Sequence, residues 1–124
     1  MPVSHRVDAE RKLVITTLEG VVTTEELLQN STAMYANREI DGCTLELVDL
    51  SLARGDEIST GGIRTTAGNL QRATRIQQMA VFATNDLQYG LARMFQLLAS
   101  RSQVQVEVFR DRARALRWLG IEPE

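Results

Sequence analysis

The sequence predicts an α/β fold: a mostly parallel, five-stranded mixed sheet flanked by helices, in the order ββαβαβαβα. Three observations carry the prediction. Short β-branched or apolar runs at 13–18, 43–50, 78–83 and 104–109 alternate with longer segments of helical period. Most of the helical segments open on a residue able to cap a helix N-terminus. The first two strands are separated by only a few residues around 8–11, which suits an antiparallel hairpin, whereas the later strands are separated by helices and suit parallel crossovers.

The first hairpin runs through "SHRVDAERKLVITTLEG", with residues 8–11 as its turn. In "GVVTTEELLQNSTAMYANRE" the period changes. Thr23 and Glu26 form a capping box, and Leu27, Leu28, Met34 and Tyr35 fall near one helix face. Asp41-Gly42 reads as a turn. "CTLELVDL" follows as a strand with Leu45 and Leu47 on one face and Val48 and Leu50 on the other, the pattern of a central strand covered on both sides.

After the polar loop, Ile63, Ala67, Leu70, Ala73 and Ile76 recur at helical spacing. "QMAVFAT" is a short buried strand. In "NDLQYGLARMFQLLAS" Asp86 is expected to cap, with an inward stripe of Leu87, Leu91, Met94, Phe95 and Leu98; Gly90 suggests close approach of a neighbour. "VQVEVF" alternates as a half-exposed edge strand. Asp111 caps a last helix with Leu116 and Leu119 inward, ended by Gly120 and Pro123.

The 124 residues fit one domain spanning 1–124. No apolar run approaches the ~20 residues of a membrane span, and the N-terminus lacks a signal-peptide core, so a cytoplasmic protein is expected. The net charge of −2 gives no general attraction to nucleic acid. Charge is uneven, however: residues 1–62 hold eleven acids and five bases, and residues 63–124 hold five acids and nine arginines. Solvated helix faces account for the second half, and a surface for an acidic partner is the sharper reading. The single cysteine, Cys43, permits no internal disulfide and is expected to be an inert thiol beside a strand.

Open α/β sheets place their sites at the carboxyl ends of the parallel strands. There the sequence supplies residues 49–60, 84–86 and 110–111. No metal spacing, GxGxxG or phosphate loop appears, and the one histidine, His5, belongs to the first hairpin, so no metal and no cofactor are expected. Asp49 reads either as a general base or as an acceptor that fixes the following turn. An enzyme pairing Asp49 with Ser51 or Thr60 is one alternative. Ser59 and Thr60 can each cap the helix or sit where its N-terminus favours an anion, including a phosphate on the hydroxyl. Thr84, Asn85 and Asp86 repeat the strand, polar turn and cap, and Tyr89, one turn on, either packs partly or walls a ligand pocket.

Over roughly residues 4–120 the chain resembles the anti-sigma-factor antagonists and their STAS-domain relatives, and looks closest to the SpoIIAA-like branch. The local matches are "VDLS" at 48–51, "ISTGGI" at 58–63 and "NDLQYGLARMF" at 85–95. In antagonist-type members a Met-Asp-Ser-Ser-Gly-Leu stretch carries a serine phosphorylated by a partner kinase. By that resemblance Ile58 takes the Met place, Ser59 the Asp, Thr60 the acceptor, Gly61 the second serine, Gly62 the glycine and Ile63 the leucine. Ser59 therefore stands where an acid is usual, and the acceptor is a threonine. The resemblance implies a non-catalytic regulatory or protein-interaction module, with Thr60 and Ser59 as phospho-acceptors. It implies docking of a protein partner at the edge that holds Asp49, Ser51, Thr84, Asn85, Asp86, Tyr89 and Arg64, with Arg72 and Arg75 adding selection. The broad fold is also similar to lipid-carrying Sec14-type domains, whose analogue here is expected to have an apolar cavity bounded by Leu52, Tyr89 and Phe82. The unpaired edges of the hairpin and of residues 104–109 offer a route to a homodimer.

Overall fold

The computed structural model describes residues 2–54, 57–70 and 75–122, with the Tyr35 side chain outside that set. The chain runs β1 (Val3–Asp8), β2 (Leu13–Val21), α1 (Thr24–Ala36), a 3-10 turn (Arg38–Gly42), β3 (Leu45–Arg54), α2 (Thr60–Leu70), β4 (Gln78–Phe82), α3 (Asp86–Leu98), β5 (Gln105–Phe109) and α4 (Arg112–Trp118). The strands lie in sequence order, β1-β2-β3-β4-β5. β1 is antiparallel to β2, and every later pair is parallel.

The two-residue period sorts the side chains onto two faces. On one, Leu13, Leu47 and Ala80 pack with Ala115, Leu119 and Ile121 of the α4 region. On the other, Val14, Met79, Val81 and Val106 pack with Met34, Ala67, Leu70 and Ala92 of α1, α2 and α3. α2 lies between α1 and α3. Leu47 is fully buried, a contribution of about 1.5–3 kcal/mol for such a side chain.

Several sequence expectations change. β3 does not stop at Leu50 but continues to Arg54, because β2 also runs on and pairs with it beyond an irregularity between Thr17 and Glu19, putting Leu52 opposite Glu19. A 3-10 turn occupies the Asp41-Gly42 region, capped by the Asn37 side chain accepting from Glu39 N–H. α3 is capped by Asn85 and not by Asp86, since the Asn85 side chain accepts from the Gln88 N–H. The α3 face is rotated accordingly. Gln88 and Ala92 are buried, Leu91, Met94, Phe95 and Leu98 are half-buried, and Leu87 is exposed. Gly90 faces open space, so no neighbour explains it. The described part of α2 ends at Leu70; Ile76 is buried in the segment that leads to β4. Arg75 also lies beyond α2, and Ala73, Arg72 and Pro123 fall outside the described residues.

Other expectations hold. The Thr23–Glu26 capping box is formed on both sides. Asp111 caps α4 by accepting from Ala113 N–H. Gly120 ends α4 at φ +81°, a left-handed conformation that glycine adopts without strain. No helix among the described residues is long and apolar enough to cross a membrane.

Candidate functional site

The carboxyl ends of β2, β3, β4 and β5 meet the N-termini of α2, α3 and α4, and at this edge four polar groupings form.

The first is organised by Gln88, only 3% exposed. Its Oε1 accepts from Thr84 N–H at 2.8 Å, Thr84 Oγ1 at 3.1 Å and Asn85 N–H at 3.3 Å. Its Nε2 donates to the Ala53 carbonyl at 2.9 Å and the Ser51 carbonyl at 3.4 Å. One amide thus ties the start of α3 to the end of β3 and satisfies backbone groups that burial would otherwise penalise.

The second joins Asp49, Ser51 and Arg112. Asp49 Oδ1 accepts from Ser51 N–H at 2.8 Å and Ser51 Oγ at 2.6 Å, while Oδ2 accepts from Arg112 Nη1 at 3.1 Å. Both carboxylate oxygens are engaged, Oδ1 at the strand end and Oδ2 with the first residue of α4. Asp49 projects from the α4 face with Leu47, whereas Thr60 begins a helix on the opposite face, and no hydrogen bond among the described residues joins them.

The third is Arg110 over Tyr89. The guanidinium carbon lies 4.4 Å from the ring centre, and Nη2 donates to Asp86 Oδ1 at 3.0 Å. Tyr89 is half-buried beneath the arginine, and Asp86 is exposed. Such a surface ion pair contributes little, about 0–1 kcal/mol, and the stacking orients the guanidinium.

The fourth opens α2. Ser59 N–H donates to Thr24 Oγ1 at 2.9 Å, and Ser59 Oγ accepts from Gly62 N–H at 2.9 Å. The Ser59 carbonyl accepts from Ile63 N–H, so Ser59 is the cap. Thr60, the first helical residue, is exposed and its hydroxyl makes no hydrogen bond among the described residues. Arg64 follows four residues on, also exposed. A Cβ on Gly62 would stand 2.5 Å from Thr24 Cγ2, so the glycine is required by the close approach of α1 and α2.

Of the residues singled out from the sequence, Asp49 and Ser51 come together, Thr84 and Asn85 come together through Gln88, and Asp86 and Tyr89 come together through Arg110. Ser59 and Thr60 stand apart from Asp49. His5 sits on β1, 3.3 Å from the Asn37 amide nitrogen. Cys43 is buried, and desolvation, with smaller contributions from the Asp8 and Glu46 carboxylates, pushes its thiol pKa up. Sequence reasoning missed Gln88, Arg112, Thr24 and Glu46. Glu46 is 2% exposed and accepts from Thr16 Oγ1 at 3.0 Å, although its place in β3 looks like an ordinary polar position.

The apolar cavity is also displaced from where it was expected. Leu52 is 61% exposed. Neither Leu52, Tyr89 nor Phe82 borders the apolar cavity, which lies between the sheet and α1, α2 and α3.

The crystal structure of an uncharacterised protein of the DUF3478 family from Shewanella loihica PV-4, described as having a SpoIIAA-like fold, superposes on this arrangement with a TM-score of 0.61. The match covers 94% of this chain and 91% of that one, at 16% identity. The chain has the SpoIIAA-like fold. At that identity the likeness concerns the fold alone. No protein-family model and no curated protein matches the sequence.

Proposed function

We propose that this SpoIIAA-like domain is a non-catalytic interaction module that docks a protein partner on the carboxyl edge of its sheet. The observation that carries the reading is the exposure of large apolar side chains at that edge: Leu52 at 61%, Leu87 at 53% and Val21 at 45%. Leu52 and Leu87 sit on the two elements that Gln88 ties together, so the apolar groups are presented from a fixed junction. Exposed apolar residues rimmed by charge are the composition of a recognition surface. Arg110, Arg112 and Arg64 supply that rim.

The hydroxyls and carboxylates favour recognition over catalysis. Asp49 is held by Ser51 and Arg112, and Ser59 is used as a cap. Thr60 is the phospho-acceptor this reading selects, because its hydroxyl is exposed at the first position of α2. A phosphate there is favoured by the helix N-terminus and has Arg64 one turn on. The added charge weakens docking of an acidic partner.

The test is a photo-crosslinking residue placed at Leu52 in the full chain in its native cells, with the same residue at Glu10, in the hairpin turn, as control. The reading expects one discrete protein adduct from position 52 and none from position 10. No adduct at 52, or the same adducts from both sites, overturns it.

A further inference from the structure

Beneath α2 the helix layer does not close onto the sheet. A cavity of about 100 Å³ remains, floored by Val48 and Val81, roofed by Ile63 and Thr66, and walled by Leu27 of α1 and Phe95 of α3. Several of its polar neighbours are turned to protein partners. Thr16 Oγ1 donates to Glu46 at 3.0 Å, Thr66 Oγ1 donates to the Gly62 carbonyl at 2.9 Å, and Asn69 Nδ2 donates to Ser31 Oγ at 3.4 Å. A water needs two to four polar partners to settle, and cavities with hydrocarbon walls stay dry and take up apolar molecules; a cavity of about 150 Å³ holds benzene.

We infer that this cavity is a binding site for the hydrocarbon end of an acyl chain, about four carbons long, since a cavity of about 150 Å³ holds the six carbons of benzene. The size follows from the volume and the apolar chemistry from the walls. The orientation follows from Glu46. The buried Thr16 hydroxyl already donates to that carboxyl group. An anionic head inside the cavity would meet no cationic side chain and would face the Glu46 carboxyl group, so a fatty acid enters tail first and leaves its head outside. The site lies on the helix-covered face under α2, and neither Leu52 nor Leu87 of the docking edge borders it.

The test titrates the isotope-labelled full chain with two probes, benzene and decanoate below its micelle concentration, and follows methyl and amide resonances. Saturable shifts confined to Ile63, Val48, Val81, Leu27 and the α3 residues at 92 and 95 support the site. Shifts with decanoate, with or without benzene, support an acyl tail, and shifts with benzene alone overturn it in favour of a free small ring. Ala92→Leu and Thr66→Leu each fill the cavity from a different side. Each is expected to weaken binding by more than about tenfold with the circular dichroism unchanged. Two other outcomes overturn the inference: neither probe shifts these resonances in the unsubstituted chain, which makes the cavity a packing void, or the shifts persist undiminished in both filled variants.

Discussion

Gln88 Nε2 donates to the Ala53 carbonyl at 2.9 Å across 35 residues of sequence, and the same amide's oxygen receives the backbone N–H groups of Thr84 and Asn85. This bond joins the two elements that carry Leu52 and Leu87, so the docking edge depends on it.

Replacing Gln88 with Leu keeps the volume and removes every one of those bonds. Each buried backbone group left without a partner costs about 1–3 kcal/mol. Access of water to the rim lowers the total, and a loss of about 2–4 kcal/mol is expected. Urea denaturation checks it, with a lower midpoint and an unchanged slope.

The Thr24–Gly62 contact makes a second prediction. Alanine in a helix is favoured over glycine by about 1 kcal/mol. Here its Cβ would lie 2.5 Å from Thr24 Cγ2, and overpacking of that kind costs about 1–3 kcal/mol. Gly62→Ala is therefore net destabilising. Thr24→Ser removes the methyl group and keeps the hydroxyl that receives Ser59 N–H. In the Gly62→Ala background it recovers part of the loss, and a double-mutant cycle measures the coupling.

Ser59 and Thr60 are adjacent but have opposite roles, and substitution separates them. Ser59→Ala removes the cap on α2 and lowers stability by about 1 kcal/mol. Thr60→Glu places an acid on the first turn and raises stability by about 0.3–1 kcal/mol at low salt. Thermal unfolding distinguishes the two signs.

Cys43 sets a pH dependence. Burial raises its thiol pKa, with Asp8 and Glu46 adding to the effect. The native state therefore keeps a proton that the unfolded chain has already lost. Between the two pKa values the native state binds more protons, so stability falls as pH rises. The loss begins near the unfolded thiol value, about pH 8.5, and is complete above the native one. Denaturation at pH 7 through 10 should show that slope, and Cys43→Ala should flatten it.

Local features were legible and distant ones were not. The Thr23–Glu26 box and the Asp111 cap lie within a few residues of their partners, and both formed as read. The opposed faces of Leu45/Leu47 and Val48/Leu50 follow from the strand period alone. The cap of α3 moved by one residue because Asn85 and Asp86 offer the same chemistry at neighbouring positions. Gln88 gave no signal, since its meaning lies in carbonyls at 51 and 53. Glu46 carries no sequence signal either, since its partner Thr16 comes from a neighbouring strand. The sequence alone ends β3 at Leu50, short of Leu52, because the extension of β3 depends on pairing with β2, and pairing is not written in either strand by itself.

The most direct measurement of the central claim uses the protein captured by the crosslinker at position 52. Its affinity for the unsubstituted chain, for Leu52→Asp/Leu87→Asp and for Thr60→Glu is measured by calorimetry. The docking account predicts a loss of at least about 100-fold for the double variant, as expected when central apolar anchors are removed, and a smaller loss for Thr60→Glu. Affinity unchanged in the folded double variant would contradict it and place recognition elsewhere on the domain.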